Sequence, residues 1–215
     1  MIFLSLKTYK ESTGEAAIKL LSCVKKISEE TEVKIISAVQ PTDIYRIKKE
    51  LGIEVWAQHM DPIDPGKNMG WLSPYSLKEA GATGVVINHS EHKVSDEIIK
   101  NTLEKAKQYN LKTVLIGNSV DMILKFASWQ PDYLSYERED MVGGGVSMLT
   151  QETENVKKLV SVLKIPLMIG AGISTGQDIK TALALGAKGA ILASAFTLAV
   201  DPEAKLRELA MGFKS

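Results

Sequence analysis

The sequence predicts an α/β protein folded as a closed (β/α)8 barrel, one domain running over residues 1–215. Three observations carry this reading. Short runs of aliphatic and β-branched residues alternate with amphipathic helical stretches along the whole chain, and eight such units can be counted. Composition does not break between one unit and the next. The length of 215 residues, with 45% hydrophobic and 24% charged residues, fits one large domain with a substantial core. Strands alternating with helices imply a parallel sheet. Eight units suggest closure, with an open doubly wound sheet as the structural alternative.

The elements follow in order. Ile2–Leu6 reads as the first strand, and the stretch Gly14–Ser28 places Ala17, Leu20, Leu21 and Val24 on one helical face. Val33–Val39 is a second strand, and a helix opening at Pro41-Thr42 runs to Leu51, where Gly52 stops it. Ile53–Ala57 is a third strand, followed by a long loop, Gln58–Pro74, and a short helix to Gly81. Gly84–Asn88 is a fourth strand. Ser95-Asp96-Glu97 then supplies a cap and two first-turn acids for a helix to Tyr109. Lys112–Ile116 and Pro131–Tyr136 are the fifth and sixth strands, with a helix through Phe126 between them. A second long loop, Glu137–Ser147, precedes a helix carrying Val156, Leu159, Val160 and Leu163 on one face. Ile165–Ile169 and Lys188–Ala193 are the last strands, flanking a helix from Thr175 to Leu185. Asp201-Pro202 opens the final helix, with proline at a favoured first-turn position.

The charge balance, 26 basic against 26 acidic residues, leaves no basic footprint for nucleic acid. Cys23 is the lone cysteine, so the chain makes no internal disulfide and has no thiolate pair for a metal. No run approaches the ~20 apolar residues of a membrane span. The first residues are too short for a signal core. The expectation is a soluble cytoplasmic protein, without membrane or nucleic-acid partners.

Barrels place their chemistry on the loops after the strands, so the strand ends are where functional groups are sought. Lys7 follows the first strand, Asn88-His89-Ser90-Glu91 the fourth and Glu137 the sixth. Each alone is most simply a solvated or structural side chain. Small-residue turns, Gly170-Ala171-Gly172-Ile173-Ser174 and Leu192-Ala193-Ser194-Ala195, follow the seventh and eighth strands. Small residues let backbone N–H groups approach a ligand, and helix N-termini favour phosphate. A lysine, an imidazole, a carboxylate and a phosphate cradle around one barrel mouth suit proton abstraction beside a carbonyl of a phosphorylated substrate. No HxxxH or HxH spacing occurs among His59, His89 and His92, and neither metal nor cofactor is required.

These residues resemble triosephosphate isomerase in its shorter, archaeal-type form. The resemblance rests on Lys7-Thr8-Tyr9, Ala57-Gln58-His59-Met60-Asp61-Pro62, Asn88-His89-Ser90-Glu91, Tyr136-Glu137 leading to Met141-Val142-Gly143-Gly144, and the two small-residue turns. It covers nearly the whole chain, in order, on the right strand ends. It implies a cofactor-free aldose–ketose isomerase acting on dihydroxyacetone phosphate and glyceraldehyde 3-phosphate in glycolysis and gluconeogenesis. By the same resemblance Glu137 is the base, His89 the electrophile and Lys7 a fixed positive charge. Ser5, Lys7, Val142, Gly143, Gly144, Gly172, Ile173, Ala193 and Ser194 then hold substrate and phosphate, with Ser90 and Glu91 as supports. A neutral imidazole and a closing lid belong to the family's known chemistry and are not read from this sequence. A homo-oligomer, dimer or tetramer, is also implied, since the family is normally oligomeric and its archaeal-type members are tetramers.

Several positions depart from the family pattern. Ser5 stands for an asparagine, Met69 for a threonine in the subunit-docking loop and Ile116 for a cysteine. Arg138-Glu139 replaces a proline-rich lid start, and Ala195 replaces a glycine, so that its extra Cβ would crowd the phosphate if φ there had to be positive. The alternative is a non-catalytic phosphate-binding relative with a regulatory or scaffolding role, for which Lys7, His89 and Glu137 together would be superfluous. The loop from Gln58 to Pro74 displays Met60, Ile63, Met69 and Trp71 and is the expected subunit contact.

Overall fold

The computed structural model describes residues 1–141 and 148–214. Its parallel strands are β1 (Ile2–Ser5), β2 (Ile35–Val39), β3 (Val55–Ala57), β4 (Gly84–Ile87), β5 (Lys112–Gly117), β6 (Tyr133–Tyr136), β7 (Leu167–Ile169) and β8 (Gly189–Leu192). Each pairs with the next and β8 closes on β1, so the barrel is complete and no strand is left as an edge. The outer helices are α1 (Glu15–Thr31), α2 (Pro41–Leu51), α3 (Pro74–Glu79), α4 (Asp96–Gln108) and α5 (Val120–Ala127). They continue with α6 (Thr153–Val162), α7 (Gly176–Ala184), α8 (Ser194–Thr197) and α9 (Pro202–Met211).

Local chemistry accounts for the helix starts. Ser95 Oγ accepts from Ile98 N–H at 3.3 Å, and Asp201 caps Ala204 N–H at 2.9 Å. Thr175 and Asp178 form a reciprocal capping box on α7. Several strands are shorter than the sequence pattern predicts. Pro131 and Pro166 lie outside β6 and β7, consistent with a residue that has no ladder N–H to donate. Beside Pro131, Asp132 does the pairing with its side chain, accepting from Thr113 N–H at 3.0 Å. β4 stops before Asn88, which turns to φ 63°. The small helix α8 after β8 has no counterpart in the predicted elements.

The core has two layers. Outward strand residues pack against the helices, and inward ones, among them Phe3, Ile36, Trp56, Val114, Met168 and Ile191, fill the barrel. Phe3 meets Trp56 edge-on at 5.2 Å, with Tyr133 at 6.2 Å on the other side. Gly84 makes this possible, since a Cβ there would stand 2.4 Å from the Trp56 ring. The floor of the barrel is therefore solid. Side chains repeat every second residue along a strand. One or two steps beyond the plug, the inward rows reach Ser5, Gln58, Asn88, Ser135, Glu137, Gly170 and Ala193. The mouth is polar because the hydrophobic filling stops one layer below it.

Candidate functional site

Lys7 leaves β1 at φ 50°, a conformation that costs a non-glycine residue about 1–2 kcal/mol. The surroundings enforce it. Gln58 Nε2 donates to the Lys7 carbonyl at 2.9 Å and to the Ala38 carbonyl at 3.2 Å. Ser12 Oγ donates to the Leu6 carbonyl at 2.8 Å. The lysine Nζ is thereby aimed across the mouth, 2.6 Å from Glu91 Oε1.

Asn88 sets the position of His89. Its amide donates to the Ile116 carbonyl at 3.0 Å and accepts from Val94 N–H at 3.1 Å, so it pins the start of the loop to β5. The backbone N–H of Glu91 donates to His89 Nδ1 at 3.1 Å. A ring nitrogen that accepts a hydrogen bond carries no proton, so the neutral ring bears its hydrogen on Nε2. That nitrogen faces Glu137 Oε2 at 3.9 Å, too far for a hydrogen bond and near enough for both groups to address one small molecule.

Glu137 is 3% exposed. Its N–H continues the ladder to the Gly117 carbonyl at 3.0 Å, and Ser135 Oγ donates to its Oε1 at 3.0 Å. Burial pushes the carboxyl above the ordinary carboxylate range, against the pull of His89, the Ser135 hydroxyl and Lys7. The carboxylate also lies directly over Gly170, where a Cβ would stand 2.2 Å from Glu137 Cγ and Oε1.

The facing wall is made by the two small-residue turns. Ala171 and Gly172 adopt φ 75° and 70°. Asp178 takes up the N–H groups of Ser174 at 3.0 Å and Thr175 at 2.9 Å, and Glu208 of α9 that of Gly176 at 2.8 Å, so the start of α7 is already satisfied. α8 begins at Ser194, and the first N–H groups of a helix have no intrahelical partner. Ala195 lies within this helix and its φ is not positive, so the condition under which its Cβ would crowd a phosphate is not met. Between the walls lies a cavity of about 360 Å³, bounded by Ser5, Lys7, His89, Glu137, Gly172, Ile173, Ala193 and Ser194 among others. That is a small-ligand volume.

The structure thus brings together most of the residues picked out by sequence. Ile173 lines the cavity, although its side chain is buried in the core. Ser90 instead borders a smaller adjoining cavity of about 140 Å³ with Asn88 and Lys93. Glu91 supports His89 through its backbone and gives its carboxylate to Lys7. Val142, Gly143 and Gly144 lie outside the described residues. His92 stacks on His59 at 4.2 Å, and no metal-binding cluster is found among the described residues. Met60 is buried and does not belong to the exposed face of its loop, because the chain turns it inward just past β3.

Four contributors escaped sequence reasoning: Ser135, Gly170 as the seat of the carboxylate, Asn88 as the loop pin, and Glu152. Buried Glu152 accepts from Tyr136 Oη at 2.8 Å, Arg138 Nη1 at 2.6 Å and Asn155 Nδ2 at 2.6 Å. Arg138 also grips Asp140, and Asn118 holds Glu139 at 2.5 Å. The segment just after Glu137, which lacks proline, is therefore tied down by side chains. The one signal that could have found Ser135 is a polar residue two places before the acid in an apolar strand.

The sequence matches the family model described as triosephosphate isomerase over residues 1–208. The triosephosphate isomerase of Methanobacterium bryantii is 41% identical, the alignment covering 97% of this chain and 95% of that one. Those of Methanosarcina acetivorans (36%; 97% and 96% covered) and Saccharolobus solfataricus (35%; 94% and 91% covered) are similar. In fold, the chain superposes on the crystal structure of triosephosphate isomerase from Bartonella henselae with a TM-score of 0.76, at 19% identity and 100% and 98% coverage. The family model spans nearly the whole barrel and the sequence relatives align end to end, and on those grounds this chain belongs to the triosephosphate isomerase family and is an isomerase.

Proposed function

We propose that this isomerase interconverts dihydroxyacetone phosphate and glyceraldehyde 3-phosphate through an enediolate, the step shared by glycolysis and gluconeogenesis. The observation that carries the proposal is the opposition of a buried carboxylate, Glu137 Oε2, and His89 Nε2–H at 3.9 Å, with Lys7 on the rim of the same cavity. Glu137 takes the proton from the carbon next to the carbonyl. His89 Nε2–H donates to the carbonyl oxygen and stabilises the charge that develops there. Glu137 then returns the proton to the neighbouring carbon, while the hydroxyl proton passes between the two oxygens. No proton is gained or lost overall. Lys7 supplies positive charge to the anionic substrate. Backbone N–H groups of Gly172, Ala193 and Ser194, with Val142, Gly143 and Gly144 of the lid, receive the phosphate, and Ser5 borders the substrate.

A coupled isomerase assay with solvent-hydrogen exchange into substrate tests this reading. Glu137→Asp withdraws the carboxylate by about one methylene, and errors near 1 Å cost ~10²-fold, so kcat should fall far more than KM changes. His89→Gln should lose at least ~10²-fold, the size seen when an oxyanion donor is removed. Wild-type kcat in either variant would overturn the corresponding role.

The chain is further proposed to be a homo-oligomer contacting its copies through residues 58–74. Met69 is 100% exposed and Trp71 59%, on one long loop beside the mouth.

A further inference from the structure

Ser135 stands two residues before Glu137 on β6, so both side chains point into the barrel. It is wholly buried, and its hydroxyl has Glu137 as its one partner among the described residues. The bond goes to Oε1 at 3.0 Å, while the other oxygen, Oε2, faces His89 at 3.9 Å. Gly170 closes the third side, lying against Cγ and Oε1. The two oxygens of the carboxylate are thereby made unequal: one is seated against the barrel wall, the other is presented to the cavity.

We propose that Ser135 is a positioning residue for the base, its hydroxyl fixing Oε1 so that Oε2 alone meets the carbon-bound proton. The inference rests on Glu137 being the base. The chemistry favours it on two counts. An ionised carboxylate only accepts hydrogen bonds, so the hydroxyl must donate, and a donor to the charged form favours ionisation against the desolvation of this buried site. When the proton arrives on Oε2, Oε1 is still an acceptor, so the hydroxyl keeps its orientation throughout the transfer. A seat that needs no rearrangement during the reaction is the kind of preorganisation that speeds proton transfer.

Ser135→Ala removes the donor and adds no bulk. The acid limb of the kcat/KM profile should move up by about one pH unit, in line with losing one hydrogen bond to a charged group. kcat at neutral pH should fall roughly 10-fold, with KM changed less. Ionisation of the substrate phosphate, near pH 6, is common to both proteins and does not contribute to the difference. Direct titration of the Glu137 carboxyl by carbon-13 NMR should show the same upward displacement. Ser37→Ala is the control. Ser37 is equally buried, on β2, and its hydroxyl has no hydrogen-bond partner among the described residues, so its loss should leave both curves in place. Superimposable curves for wild type and Ser135→Ala, with Glu137→Asp inactive, would overturn the positioning role and leave the base assignment intact. Full activity in Glu137→Asp would overturn the base assignment, and the positioning role with it.

Discussion

Adding one carbon atom beneath the carboxylate tests the geometry of the site most directly. In Gly170→Ala the new Cβ would lie 2.2 Å from Glu137 Cγ and Oε1. Carbon atoms settle at ~3.5–4.0 Å, so the shortfall exceeds about 1 Å. The backbone just past β7 is held to β6, the Gly170 N–H bonded to the Tyr136 carbonyl at 3.1 Å, so the side chain of Glu137 must move. It can move only away from Ser135 and toward the cavity. A displacement of ~1 Å at the reacting group costs ~10²-fold in rate, whereas overpacking costs ~1–3 kcal/mol of stability. For a chain of this length that amounts to a Tm lower by roughly 2–4 °C per kcal/mol. Steady-state kinetics alongside thermal unfolding separate the two effects. The expected protein is folded and about 100-fold slower. A folded Gly170→Ala protein with kcat within about threefold of wild type would refute the placement of Glu137 over this glycine.

Glu137→Gln is expected to abolish turnover and raise Tm at neutral pH. A carboxyl whose pKa is raised on folding stabilises the protein below its unfolded pKa of ~4.3, and that contribution is lost as pH rises through the folded value. The gain in Tm should therefore shrink in acid, and equal Tm values at pH 7 would contradict the burial argument. Activity needs the ionised form, so it should fall as pH drops through the raised pKa. Inorganic phosphate should compete with substrate and still do so in Arg138→Ala, because that guanidinium is already engaged by Glu152 and Asp140. Loss of competition in the variant would identify a side-chain clamp. Met69→Asp should shift sedimentation toward monomer, since burying exposed Met and Trp side chains contributes ~1.5–3 kcal/mol each to association. A wild-type chain that sediments as an active monomer would end the oligomer proposal.

Much of the fold was legible in the sequence because its signals are local. Strand runs with helical stretches between them, the Ser95 cap, Asp201-Pro202 and the Gly52 stop all act within a few residues of themselves. Lys7, His89 and Glu137 were legible for a related reason. A barrel exposes its strand ends at one mouth, so position along the chain sufficed to group them. The boundaries were less readable where a proline or a left-handed residue such as Asn88 cut a strand short.

What only the tertiary structure decided depends on residues that meet from far along the chain. The pairing of Lys7 with Glu91 spans 84 positions, and nothing near either residue encodes it. The Nε2–H form of His89 follows from where one backbone N–H falls. Met60 and Met69 look alike in sequence, yet one enters the core and the other stands wholly in solvent, because the path of the loop between them decides. The seat of the carboxylate is the same kind of fact. Ser135 reads as an ordinary polar residue in a strand, and Gly170 as an ordinary turn glycine. They acquire a role only when barrel closure brings β6 and β7 side by side and leaves space, beneath Glu137, for a carboxylate and no further atom.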